Sequence, residues 1–262
     1  MLLLLTLVPL ALIGFVASEI NDDDDDTNAA ADDSVSGADT PETIETGGGD
    51  DTVFAAGGND LVDTGTGDDR AFGQDGNDAI FGGEGDDFLR GSAGEDILFA
   101  DEGEDTLFGD SGDDILVGAD ILESEEIFDI TAQTNLLPVP LSDFIDLSGE
   151  DGEADTLNGG FGDDGIIAGS NDVVSTGDGA DVVEIGDWVT PGAPVTITDF
   201  DLAEDVIVYD FFGDTPPNVI LGELDDGTVT LELDGEIVAR LEGLDFQDVQ
   251  NAGTQIMFTQ IS

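Results

Sequence analysis

The sequence predicts an all-β fold: a parallel β-roll, meaning a solenoid of short stacked strands, followed by a C-terminal antiparallel β cap. Eight nonapeptides run without a break from Thr46 to Val117, each with glycine at its fourth position, aspartate at its sixth and an apolar residue at its eighth. Less regular copies return between residues 150 and 184. From Ile185 onward the chain changes to longer alternating segments joined by a hairpin turn, the pattern of antiparallel strands.

Ahead of the repeats, Leu2 to Val16 is an uncharged apolar run broken by Thr6, Pro9 and Gly14. Its length suits the apolar region of a signal peptide better than a membrane span of about 20 residues. Segment 1–18 is therefore read as a signal or an anchor, with membrane anchoring through residues 2–16 left open. Residues 19–45 are acidic, include the run Asp22 to Asp26, and are read as a disordered, self-repelling linker.

In the regular block, 46–118, glycine permits the positive φ and close backbone approach that a tight turn requires. A three-residue strand follows each turn. Side chains alternate along a strand, so the eighth residue points inward while the seventh and ninth point outward. The inward set is Val53, Val62, Ala71, Ile80, Leu89, Leu98, Leu107 and Leu116. Two nonapeptides complete one coil with strands in two opposed sheets, and coils stack at about 4.8 Å. Turns on one side then lie two nonapeptides apart. Asp51, Asp69, Asp87 and Asp105 form one file, and Asp60, Asp78, Asp96 and Asp114 form the other. Facing carboxylates at that spacing repel by roughly 1 kcal/mol in water and about 4 kcal/mol at an effective dielectric of 20. Such a stack needs cations, and carboxylates with turn carbonyls suit calcium, which takes roughly six to eight oxygens at about 2.3 to 2.6 Å. A merely solvated acidic surface has no reason to hold a strict period.

Residues 119–149 break the period with Glu123, Glu125 and Glu126, then Leu136-Leu137-Pro138-Val139-Pro140-Leu141, an inserted excursion whose apolar residues cover something. The second, irregular block, 150–184, pairs Asp155 with Leu157, Asp164 with Ile166, Asp172 with Val174 and Asp181 with Val183. The turn before Asp172 is one residue short and Glu153 stands where glycine is expected, so metal binding is least secure at those two turns. In the cap, 185–262, Val195 to Phe200 and Val206 to Tyr209 read as strands. Asp234-Gly235 gives a two-residue hairpin between Thr228–Leu233 and Ile237–Leu241. Phe54, Phe72, Phe81, Phe99 and Phe108 recur at the ninth position, on the outer faces, either as a partner surface or as filler covered by neighbours or by the insertion.

Composition removes other classes of function. Asp and Glu total 64 against three basic residues, Arg70, Arg90 and Arg240, for a net charge of −61. Nucleic acid is a poor partner for such a surface. With no histidine and no cysteine, zinc sites, thiol nucleophiles, imidazole acid–base chemistry and disulfides are all absent. Paired acids could hydrolyse glycosides, but here the repeat accounts for them, and no other stretch is long enough for a separate catalytic domain. The chain is not expected to be an enzyme.

The best single copy, Gly82-Gly83-Glu84-Gly85-Asp86-Asp87-Phe88-Leu89-Arg90, has the form GGxGxDxUx. Over about residues 46 to 205 the chain resembles the RTX, or hemolysin-type, calcium-binding nonapeptide repeat proteins. The resemblance implies a secreted or cell-surface protein of a Gram-negative bacterium, exported unfolded by a type I channel and folded by external calcium. In that family an uncleaved export signal lies near the carboxyl terminus, where Gln247 to Ser262 carries only Asp248 as an acid. The repeat is a scaffold and does not name a task. The sequence is read as calcium binding with a structural or adhesive role, through self-association or a surface partner. The alternative is an accessory or type I export module serving an effector on another chain.

Overall fold

The computed structural model describes residues 18–19, 31–119, 153–212, 217–252 and 256–261. Strands alternate between two sheets along the chain, as a coil of two nonapeptides requires. The first sheet contains, in spatial order, β1 (Ser18–Glu19), β3 (Glu42–Glu45), β5 (Leu61–Thr66), β7 (Ala79–Glu84), β9 (Ile97–Glu102), β11 (Ile115–Val117), β13 (Gly165–Ile167), β15 (Val182–Gly186), β17 (Val206–Phe212) and β21 (Ile256–Ile261). The second contains β2 (Ser34–Ser36), β4 (Thr52–Phe54), β6 (Arg70–Asp75), β8 (Phe88–Ala93), β10 (Thr106–Ser111), β12 (Thr156–Phe161), β14 (Val173–Asp178) and β16 (Val195–Ile197). It continues through β20 (Glu236–Leu241) and β19 (Val229–Leu233) to β18 (Val219–Glu223). One short helix, α1 (Phe246–Ala252), joins β20 to β21.

Register follows the repeat. Thr52 pairs with Arg70 and Ala79 with Ile97, each one coil apart in parallel. All eight predicted inward residues are fully buried, at 0% exposure. Because one apolar side chain per strand enters from each sheet, the core is a single thin column running the length of the roll.

The linker assigned to residues 19–45 is corrected over its described part. β2 and β3 pair in parallel with β4 and β5, so the roll begins well before Thr46. The register explains it: Val35 and Ile44 occupy the eighth position of two further turns and are buried, while Asp33 and Glu42 occupy the sixth. Those turns lack the fourth-position glycine, having Ala31 and Thr40 instead.

The cap is antiparallel over a shorter stretch than expected. β18, β19 and β20 pair antiparallel, with Asp234 and Gly235 both at positive φ (51° and 95°) in the hairpin. β16 and β17, by contrast, extend the two sheets in parallel from β14 and β15, and β20 and β21 add in parallel to them. Val195, Ile197 and Ile207 supply buried apolar side chains at the core spacing even though the nonapeptide spacing is lost. The readings of residues 1–17 as signal or anchor and of the 120–149 excursion lie outside the described residues. Among the described residues no helix is long and apolar enough to cross a membrane.

The insertion does not disturb the roll. Thr106 pairs with Thr156, a separation of 50 where neighbouring coils are otherwise 18 apart. The difference, 50 − 18 = 32 residues, is spliced in between β11 and β12.

Candidate metal centre

Glycine shapes the regular turns at the fourth position, and at the first position in the copies beginning at Gly73, Gly82, Gly91 and Gly109. Gly76, at the fourth position, has φ 139°, and a Cβ built on it would lie 1.4 Å from the carbonyl oxygen of Gly58 in the preceding turn on that side. Only a residue without Cβ allows that approach of backbone to backbone. Gly82, at the first position, would place a Cβ 2.3 Å from Oδ2 of Asp87 in its own turn. One glycine thus brings neighbouring turns together and the other leaves room for the carboxylate.

The sixth-position aspartates stack as two files. Oδ1 of each accepts a hydrogen bond from the backbone N–H of the acid one coil earlier: Asp51 to Asp69 at 2.7 Å, Asp69 to Asp87 at 2.8 Å and Asp87 to Asp105 at 2.7 Å on one side. On the other side Asp60, Asp78, Asp96 and Asp114 are linked in the same way, each at 2.8 Å. The files cross the insertion unbroken, from Asp105 to Asp155 and from Asp114 to Asp164, both at 2.8 Å. They continue from Asp155 to Asp172 and from Asp164 to Asp181. All twelve predicted site aspartates are therefore buried in these files.

Their second oxygens distinguish them. Oδ2 of Asp51, Asp60, Asp69, Asp78, Asp87, Asp96, Asp105, Asp114, Asp164 and Asp181 is buried with no hydrogen-bond partner. Burying an unpaired carboxylate is costly, and the acidities respond. Loss of solvation, partly offset by the backbone N–H each accepts, pushes Asp60 and Asp69 up to about 6 and Asp78, Asp87, Asp114, Asp164 and Asp181 to about 7. Asp96 reaches about 8 and Asp105 about 9, with like-charged neighbours in the file adding to desolvation. Such files call for a proton or a cation at every coil. The donors on offer are carboxylate and turn carbonyl oxygens, a hard set that fits calcium. No group of three or more acids converges on one point among the described residues, so each gap offers facing carboxylates and backbone rather than an acidic cage.

The ends of the files differ. Asp172 accepts a hydrogen bond at Oδ2 from the Gly169 N–H at 2.7 Å, within the turn that is one residue short. Glu42 accepts from the Ala38 N–H at 2.9 Å. Asp205 Oδ1 accepts from the Asp181 N–H at 3.1 Å, and its Oδ2 from the Asp201 N–H at 2.7 Å and the Thr176 hydroxyl at 3.1 Å. Sequence reasoning missed Asp33, Glu42 and Asp205 as members of the files. The first two could have been found by stepping back one coil, eighteen residues, from Asp51 and Asp60. Asp205 sits beyond the repeat spacing and only the fold brings it to Asp181. Asp210 in β17 is a further buried acid with neither oxygen bonded, outside the repeat.

The profile of the RTX calcium-binding nonapeptide repeat family, four copies long, matches this chain over residues 36–71, 57–89, 72–107, 90–120 and 151–183. No curated protein matches the sequence. Among solved structures, the solution structure of the AlgE6R3 subunit from the Azotobacter vinelandii mannuronan C5-epimerase is similar at 20% identity and TM-score 0.31, covering 67% of this chain and 80% of that one. The extracellular lipase LipA from Serratia marcescens is similar at 17% identity and TM-score 0.27, covering 80% of this chain and 45% of the lipase. Overlays this loose do not bear on function, and the assignment rests on the repeat itself. In-phase turns, two files of buried aspartates and the family match over the same residues make this chain a member of the RTX calcium-binding nonapeptide repeat proteins.

Proposed function

We propose that this protein is secreted or displayed at the cell surface, that calcium drives its folding there, and that the folded roll serves a structural or adhesive role. The observation that supports this reading is the set of ten buried aspartate oxygens with no partner. A folded roll without cations must hold those acids protonated or uncompensated, whereas a cation in each gap turns the same files into the main stabilising element. Extracellular calcium modules bind at about 10⁻⁴ to 10⁻³ M, so the chain would stay unfolded in a calcium-poor cytosol and fold outside. The twelve aspartates of the two files are the proposed ligands, with the ten unpartnered ones holding ions most directly.

Circular dichroism during calcium titration tests folding, and cell fractionation in calcium and in chelator tests location. The expected result is a coil-to-β transition with a midpoint near the extracellular range and protein recovered outside the cell. A full β spectrum in excess chelator, or protein confined to the cytosol, overturns the reading.

A further inference from the structure

Among the described residues, Asp210 alone has both carboxylate oxygens buried and unbonded, at 0% exposure. The file aspartates differ in kind. Each of those with an unpartnered Oδ2 still accepts a backbone N–H at Oδ1, as Asp87 does from Asp69 and Asp96 from Asp78. Asp210 accepts nothing, and it lies in β17, beyond the nonapeptides.

Register fixes where it points. β15 and β17 pair in parallel, with Val183 opposite Ile207, Glu184 opposite Val208, Ile185 opposite Tyr209 and Gly186 opposite Asp210. Val183, Ile185 and Ile207 belong to the core column, so alternation turns Glu184, Gly186, Val208 and Asp210 to the outer face of this sheet. Glu184 is itself buried there, at 3% exposure. The two acids stand on neighbouring strands, two residues apart along the face. That diagonal is about 8 Å between backbones, from a strand spacing of about 4.8 Å and a rise of about 3.3 Å per residue, and side chains of this length close it.

The groups bordering Asp210 leave its charge unbalanced. A Cβ built on Gly186, directly across from it, would lie 2.1 to 2.6 Å from Cζ3, Cε3 and Cη2 of Trp188, so the hydrocarbon edge of the indole rests on the outer face beside the carboxylate. The ring's one donor, Nε1, is given to the Ala168 carbonyl at 2.9 Å. Tyr209 belongs to the core, and its hydroxyl donates to Asp187 Oδ1 at 2.7 Å. All three basic side chains of the chain, Arg70, Arg90 and Arg240, lie in the other sheet, in β6, β8 and β20. A buried carboxylate needs a compensating charge. Here the chain brings a second acid to its side instead of a base.

We propose that Asp210 and Glu184 hold a calcium ion on the outer face of β15 and β17, beside Trp188 and separate from the ions of the two files. Two carboxylates supply up to four of the roughly six to eight oxygens calcium takes, and water supplies the rest. The ion clasps β17 of the cap to β15, a strand that begins in the second repeat block.

Trp188 is the chain's only tryptophan, so terbium, which replaces calcium and emits when a nearby indole is excited, reports on this place. The full-length folded protein is used throughout, and the ion count is therefore read whether or not calcium drives folding. The parent should show indole-sensitised terbium emission, displaced by calcium. Asp210→Asn should bind one calcium ion fewer per chain in equilibrium dialysis and lose most of that emission. Glu184→Gln should lower both as well, and it is read in place of Asp210→Asn if circular dichroism shows that variant unfolded. Absence of sensitised emission in the parent overturns the proposal. An unchanged ion count in Asp210→Asn does the same, because asparagine matches a protonated acid that holds no ion. Loss of an ion with the emission intact places that ion away from Trp188 and also overturns it.

Discussion

Replacing Asp87 by asparagine should change sign with calcium. Asp87 Oδ1 accepts from the Asp69 N–H at 2.8 Å, and the Asp87 N–H donates to Asp105 Oδ1 at 2.7 Å. The asparagine side-chain oxygen and backbone keep both bonds, so the substitution isolates the charge at the unpartnered Oδ2. Without metal, burial pushes this carboxyl from 3.8 to about 7, and three pH units correspond to about 4 kcal/mol above pH 7. Repulsion between carboxylates one coil apart, about 4 kcal/mol at an effective dielectric of 20, gives the same size independently. In chelator, with an osmolyte to favour the folded state, Asp87→Asn should therefore be more stable than the parent by roughly that amount. In calcium it removes a ligand from both flanking gaps, toward Asp69 and toward Asp105. Isothermal titration should find about two fewer ions, and circular dichroism a higher calcium midpoint. Asp172→Asn is the comparison, because its second oxygen already accepts from the Gly169 N–H and it ends its file, so it should lose fewer ions than Asp87→Asn. Equal ion counts for Asp87→Asn and the parent would refute the stacked-file reasoning. So would destabilisation in chelator and calcium alike.

Acidity gives a second test: the raised carboxyls contribute stability to the metal-free roll below about 4, and it is lost as pH rises through about 6 to 9. Calcium competes with those protons, so its folding midpoint should fall steadily from pH 5 to pH 9, and a midpoint independent of pH in that range argues against buried carboxylate ligands. Leu98, fully buried in β9, should tolerate no charge: Leu98→Asp prevents folding in saturating calcium, while Leu98→Ala costs about 2 to 5 kcal/mol in chemical unfolding. Phe99→Ser, on the outward side but only 2% exposed, should still fold with calcium at a measurable loss of stability; complete loss of folding in Phe99→Ser but not in Leu98→Asp would reverse the assigned faces. Gly76→Ala, at φ 139° with its Cβ meeting the Gly58 carbonyl, should cost more in thermal unfolding than Gly192→Ala, whose Cβ meets nothing within 4 Å despite its own positive φ.

The sequence by itself determined whatever repeats. A period of nine with fixed glycine, aspartate and apolar positions identified the inward residues from Val53 to Leu116, the pairing of turns two nonapeptides apart, and the all-oxygen donor set, because alternation and coil geometry act within one or two repeats. It failed where a single element of the pattern was missing. Thr40 in place of glycine hid the coil containing Glu42 and Ile44, although the acid and the apolar residue were in phase, since acid and core positions make the coil and glycine only tightens it. Tertiary structure alone decided long-range adjacency. Asp105 meets Asp155 across 50 residues because the insertion leaves and rejoins one coil without shifting its hydrogen-bond register. Asp205 reaches Asp181 because buried side chains at Val195, Ile197 and Ile207 continue the core column after the nonapeptides end. The second oxygen of Asp172, like the burial of Asp210, depends on which groups the fold carries to the same place. Spacing along the chain does not encode that.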